Sequence, residues 1–254
     1  MNRAEELFSK GNELILSPEL QPGDIEVILT RLLLGQELSA YHRSHVLSMQ
    51  EFYRAHQNMF LERSLQTAHK WRELRYIRAI LKAYEVKNEP VLDAGCGLGR
   101  LTIPLLEDGF NVYGLDVSPD LIAKAQLINP KYSIHFRKGD LLRTLYPEHY
   151  FSAVLMMWHV ISEISHALPV VFAEMSRILK SGGILLFDIP DKTSDSLGTY
   201  YQGKANQEDY TTFLAKIPEL EILKKELEKA GFRVLRFKHF KWGIHKYVVL
   251  AQKL

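Results

Sequence analysis

Three acids and three glycines, set at the ends of short apolar runs, carry the chemical signal of this chain. In VLDAGCGLGR an apolar run delivers Asp93, and Gly95, Gly97 and Gly99 follow at alternate positions before a helical pattern resumes. Glycine permits backbone angles and close approaches that a Cβ forbids. A ligand can therefore lie against the main chain of such a loop and the helix N-terminus behind it. Asp116, in YGLDVS, stands 17 residues after Gly99 at the end of the next apolar run. A carboxylate there can accept hydrogen bonds from both hydroxyls of a ribose. Asp140, in KGDLL, ends a third run and could accept from an adenine amino group while Leu141 packs on the ring. The glycine spacing by itself suits dinucleotide-binding loops equally.

The elements that must position these groups follow from the hydrophobic pattern, which changes near Glu89-Pro90. Before that point it is helical. A short run begins at Asp24, and Leu61, Leu65, Ala68, Trp71, Leu74, Ile77 and Leu81 recur at steps of three and four, which places them on one face of a long helix. After Pro90, strands at 91–95, 111–117, 133–140, 150–158 and 184–190 alternate with helices, the pattern of a parallel sheet covered on both faces. A helix at 219–230 then leads to two strands with only Lys241-Trp242 between them. So short a connection joins antiparallel strands and cannot make a parallel crossover. The expected fold is α/β, a seven-stranded mixed sheet with a C-terminal antiparallel pair and an N-terminal helical extension. The expected organisation is an extension or lid over 1–60 and a main domain over 61–254, with an insert at 191–218.

Composition excludes several classes. The 46% hydrophobic fraction supports a packed core. A net charge of +2 calls for neither a nucleic-acid nor a membrane partner. Cys96 is the one cysteine, so no intrachain disulfide forms and cysteine metal clusters are excluded. The N-terminus lacks the layout of a secretory signal. No run reaches about 18 apolar residues, the length that spans a bilayer. A cytoplasmic protein is expected.

Together these residues resemble the class I, Rossmann-like S-adenosylmethionine-dependent methyltransferases, in particular the small-molecule branch of the type 11/25 kind. The likeness runs over about residues 60 to 252 through VLDAGCGLGR, VYGLDVSPDLIAKA, KGDLL, YFSAVLMMWHVISEI, LKSGGILLFDIP and ELEKAGFRV. It implies S-adenosylmethionine as cofactor and S-adenosylhomocysteine as product. Gly95, Gly97 and Gly99 would approach the methionyl part, with Asp93 helping to place its ammonium group. Asp116 would hold the ribose, Asp140 and Leu141 the adenine, and Met157 and Trp158 would line the methyl-donor pocket. Cys96 and Val117 complete the implied cofactor-binding set. Ser152 departs from the family, in which many members carry an acid at that position.

Methyl transfer from a sulfonium is an in-line displacement, so the protein chiefly orients two reactants in a dry cavity. A base is needed only where the acceptor must lose a proton. His159, at the carboxyl end of the fourth strand, is the candidate base; the alternative is a histidine that orders a loop. Glu163 is a second candidate. Aromatic residues near Tyr41, Tyr53, His56 and Phe60, and Tyr200, Tyr201, Tyr210 and Phe213 in the long connection after Asp191, could close over the site.

Met157-Trp158-His159-Val160 stands where nucleic-acid amino-methylating enzymes carry Asn/Asp-Pro-Pro-aromatic. No carboxylate lies between Ala153 and Ser162, so no metal is expected. The expected acceptor is a small molecule, methylated on O or N, and nucleic acid is not expected. Arg63, Lys70, Arg72, Arg75, Arg78 and Lys82 leave an RNA reading open. A protein acceptor, a non-catalytic cofactor-binding regulator and a nicotinamide oxidoreductase are the remaining alternatives.

Overall fold

The computed structural model describes residues 40–54, 67–196, 211, 214–241 and 244–254. The chain divides into two compact units, Met1–Met49 and Gln50–Leu254. Of the first unit residues 40–49 are described, and they are helical. The expected helix at Asp24, together with Leu61, Leu65, His56, Phe60, Tyr200, Tyr201, Tyr210 and Phe213, lies outside the described residues.

The second unit opens with helical residues 50–54 and helix α1 (Thr67–Ala83). Leu74, Ile77 and Leu81 of α1 are fully buried, each contributing about 1.5–3 kcal/mol of apolar burial. Trp71, expected on the same face, is 55% exposed. The buried place in that turn goes to Glu73, which is four residues before Ile77.

Seven strands follow in one sheet: β1 (Pro90–Ala94), β2 (Asn111–Asp116), β3 (Phe136–Lys138), β4 (Phe151–Met156), β5 (Leu179–Pro190), β6 (Phe232–Phe240) and β7 (Lys246–Lys253). Their spatial order is β3-β2-β1-β4-β5-β7-β6. The first five run parallel, with Val91 opposite Val112 on one side and Ala153 on the other. β7 pairs antiparallel with both β5 and β6. Helices α2 (Thr102–Glu107), α3 (Pro119–Ile128), α4 (Val160–Glu163), α5 (Leu168–Ile178) and α6 (Leu220–Lys229) make the connections. Ser118 caps α3, its hydroxyl accepting from the Leu121 N–H, and Pro119 occupies the first helical position.

Three boundaries differ from the sequence reading. The third strand shortens to three residues because Pro130 starts a 3-10 turn through His135, whose Nδ1 lies 2.8 Å from the Val112 carbonyl. The fifth strand starts at Leu179 and absorbs Gly182, at φ +75°, beside an irregular register against Phe151–Ala153. The turn between β6 and β7 is longer than two residues, because His245 is tied to the chain after β5. Its carbonyl accepts from the Asp191 N–H at 2.8 Å, and its own N–H donates to Ser196 Oγ at 2.9 Å.

Among the described residues no helix is long and apolar enough to cross a membrane. The sheet order reverses between β1 and β4, so the crevice for a ligand opens at the carboxyl ends of β1, β2 and β4.

Candidate active site

The loop after β1 is stitched to the end of β2. The N–H groups of Gly95 and Cys96 both donate to the Leu115 carbonyl, at 2.7 and 3.0 Å. Asp116 completes the seam: its Oδ2 accepts from the Gly97 N–H at 2.8 Å and its Oδ1 from the Ser118 N–H at 2.9 Å. Burial pushes the Asp116 carboxyl above the usual range, and the N–H groups of Ser118, Gly97 and Val117 pull it back. Each oxygen keeps a further lone pair for a hydroxyl donor.

All three glycines have positive φ, at +80°, +53° and +85°, but their surroundings differ. A Cβ on Gly95 would come to 2.5 Å from Val160 Cγ2, and one on Gly99 to 2.6 Å from the Phe136 ring. A Cβ on Gly97 would meet nothing within 4 Å. Gly95 and Gly99 thus serve close packing, and Gly97 exposes main chain to open space. The side chain of Cys96 is buried beside Ile122, Ala125 and Phe136, and burial raises its thiol well above the ordinary value. Cys96 is therefore a packing residue that contributes backbone to the loop.

Asp93 turns into the protein. Its Oδ2 accepts from both the N–H and the hydroxyl of Thr102, at 3.1 and 2.6 Å, and so ties down the start of α2. Its carboxyl is pushed up to about 6 by burial, against the Thr102 bonds and Arg100. Asp140 forms a local turn, with Oδ1 accepting from the Leu142 N–H at 2.9 Å, and Leu141 beside it is buried. The Val117 carbonyl accepts from Gln50 Nε2 at 2.9 Å, which brings the helical residues 50–54 to the end of β2. Met157, expected at the pocket, packs in the apolar core with Leu81, Val91 and Leu105.

Beyond β4 the chain makes an unusual turn. Trp158 and His159, neither of them glycine, sit at φ +67° and +69°, a conformation costing roughly 1–3 kcal/mol per residue. Side chains from two other elements, β5 and α1, hold them there. The His159 N–H donates to Asp188 Oδ1 at 3.0 Å, and Trp158 Nε1 donates to Glu73 Oε2 at 3.0 Å. The His159 imidazole is held below its ordinary value, chiefly by burial, with Asp188 opposing. Burial thus favours the neutral form of the ring. Glu163 is paired with Lys216 Nζ at 3.1 Å.

Glu73, Asp188 and Lys246 were not legible as site residues. Glu73 also accepts from Arg100 Nη1 and Lys246 Nζ, both at 2.7 Å, and Lys246 reaches Asp188 Oδ2 as well. Burial opposes the charge on Glu73, but Lys246 and Arg100 outweigh it and hold the carboxyl down at about 2. The available signal was an acid one helical turn from Ile77, on an otherwise apolar face. Among the described residues no three His, Cys, Asp or Glu form a group that could hold a metal.

A methyltransferase-domain family matches residues 91–183, the stretch from the start of β1 into β5. That stretch is similar to methyltransferase domains and covers less than half of the chain. Among relatives of this domain, the 2-methyl-6-phytyl-1,4-hydroquinone methyltransferase of Synechocystis is 38% identical over 101 residues, covering 38% of this chain and 30% of that protein. The human tRNA N(3)-cytidine methyltransferase METTL6 is 30% identical over 147 residues, covering 54% and 49%. The chain thus spans less than half the length of either relative. The crystal structure of magnesium protoporphyrin IX methyltransferase from Synechocystis, with bound SAH, superposes with a TM-score of 0.62 at 17% identity, covering 82% of this chain and 99% of that one. At that identity the likeness speaks for the methyltransferase fold alone.

Proposed function

We propose that the protein is an S-adenosylmethionine-dependent methyltransferase acting on an oxygen or nitrogen of a small-molecule acceptor. One observation carries the cofactor reading. The space that a Cβ on Gly97 would fill is open, and directly beside it Asp116 is fixed by two backbone N–H groups. A ligand bearing a ribose and an extended amino-acid chain fits that pairing of exposed main chain and anchored acid.

In this reading Asp116 accepts from the ribose hydroxyls, and Gly97, flanked by Gly95 and Cys96, admits the methionyl part. Asp140, Leu141 and Val117 border the adenine side. Asp93 shapes the loop from beneath through Thr102, and Met157 supports the pocket from the core. Trp158 walls the methyl-donor end. S-adenosylmethionine held by these residues would supply an electrophilic methyl group, with S-adenosylhomocysteine as product. The neutral imidazole of His159 takes the proton of a hydroxyl or amine acceptor. The division proposed with this reading is an N-terminal extension of residues 1–60, a main domain of residues 61–254 and an insert at 191–218.

The hydroquinone named for one relative and the absence of an Asn/Asp-Pro-Pro sequence at 157–160 favour a small acceptor. A second reading, RNA, rests on the exposed Arg72, Arg75 and Lys82 of α1 and on the tRNA-modifying relative.

The test is calorimetric titration with S-adenosylmethionine, S-adenosylhomocysteine and NAD, on wild type and Asp116→Ala. Micromolar binding of the first two by wild type, weakened at least tenfold in Asp116→Ala, is expected. Binding of NAD alone, or equal affinity in the two proteins, overturns the assignment.

A further inference from the structure

Glu73 gathers three parts of the site at one carboxylate. Its Oε2 accepts from Arg100 Nη1 and Trp158 Nε1, and its Oε1 from Lys246 Nζ. Arg100 directly follows the glycine loop, and its guanidinium lies 4.3 Å over the Trp158 ring. Lys246 also reaches Asp188, the residue whose Oδ1 holds the His159 N–H. Glu73, Asp188 and Lys246 all lie outside the stretch 91–183 that matches the methyltransferase-domain family. They come from α1, β5 and β7, three elements that meet only in the fold.

Two consecutive non-glycine residues at positive φ do not keep that conformation unless their surroundings over-determine it. Here the over-determination is specific. The indole of Trp158 is held edge-on by Glu73 and face-on by Arg100, and the main chain of His159 is held by Asp188. We propose that Glu73 is a positioning residue: from α1 it fixes Trp158 and Arg100 at the methyl-donor end of the pocket, so that cofactor affinity depends on it. This inference rests on the cofactor reading above.

A control lies on the same helix. Arg78 is ion-paired with Asp108, just past the end of α2, which is the end of the sheet away from the site. Arg78→Ala loosens α1 without touching Trp158 or Arg100. Glu73→Gln keeps the size and one acceptor oxygen but loses the charge, and Glu73→Asp keeps the charge on a shorter arm.

The experiment measures S-adenosylhomocysteine affinity by calorimetry on the full chain, with melting temperature alongside. Expected is at least a tenfold loss in Glu73→Gln, partial rescue in Glu73→Asp, and a change under twofold in Arg78→Ala even where its melting temperature falls. Wild-type affinity in Glu73→Gln, or equal losses in Glu73→Gln and Arg78→Ala, overturns the proposal and leaves α1 a general brace. A second readout needs no cofactor. With Trp71 and Trp242 replaced by Phe, acrylamide quenching of Trp158 is expected to rise in Glu73→Gln and not in Arg78→Ala. Unchanged quenching overturns the positioning role, whereas absent binding by wild type with altered quenching sinks the cofactor assignment instead.

Discussion

The N–H of Gly97 donates to Asp116 Oδ2 at 2.8 Å, joining the loop after β1 to the last residue of β2. The bond aims the open side of the loop and the buried acid at the same space. It also separates the roles of glycines that look equivalent in the sequence.

Gly97→Ala and Gly99→Ala are therefore expected to fail differently. Both residues lie at positive φ, where an alanine costs about 1–2 kcal/mol. At Gly97 the added methyl meets no protein atom within 4 Å and, under the proposed function, enters the space assigned to the methionyl chain. The fold should survive while S-adenosylmethionine affinity falls at least tenfold. At Gly99 the methyl would stand 2.6 Å from the Phe136 ring. Overpacking there adds roughly 1–3 kcal/mol, so the main effect is a lower melting temperature. Thermal melts and calorimetry on both variants decide; the reverse pattern would remove Gly97 from the ligand site.

Asp93 predicts an unusual pH dependence. Burial raises its carboxyl to about 6 despite the two Thr102 bonds. A pKa raised on folding means that the protonated form is favoured in the native state. That contribution is complete below the unfolded value and lost as pH rises through about 6. At neutral pH the ionised group then costs up to about 3 kcal/mol. Asp93→Asn keeps a carbonyl oxygen for Thr102 and removes the charge. Urea unfolding should show the variant gaining on wild type between about pH 4 and pH 7, with the difference level above that. A constant difference across that range would mean that the carboxylate is fully compensated where it sits.

Most of the sheet was legible because its signals are local. A glycine loop after a strand, an acid at a strand end and near-continuous apolar runs each declare themselves within ten residues, and together they order β1 to β5. The antiparallel pair was legible for the same reason, although its turn proved longer because His245 is held by residues after β5. The clamp on Trp158 was not legible. Glu73 and Lys246 are 173 positions apart, and nothing in a basic helix says that its acid faces inward. Trp71 shows the reverse error. Periodicity placed it in the apolar stripe, but the stripe turns just enough along α1 for Glu73 to take the inner position. Asp93 is tied to the start of α2 through one oxygen, an attachment to Thr102 that no spacing rule reveals.

His159 brings pH and chemistry together. Burial holds its imidazole below the ordinary value, with Asp188 pulling the other way. A histidine pKa lowered on folding stabilises the native state above the unfolded value, and that contribution is lost as pH falls through the folded one. His159→Asn is the informative variant, because asparagine tolerates the left-handed backbone at φ +69° and carries no titrating ring. Its stability should fall less than that of wild type on acidification from pH 7. If the imidazole is the base, turnover on an identified acceptor should drop by about 10²–10⁴ in the variant. S-adenosylhomocysteine affinity should stay within twofold, because the Asp188 bond is made by the main-chain N–H, which asparagine retains. The wild-type rate should rise with pH only below neutrality and level off above it. Full turnover in His159→Asn would assign the residue to holding the turn, leaving the acceptor to lose its proton to water.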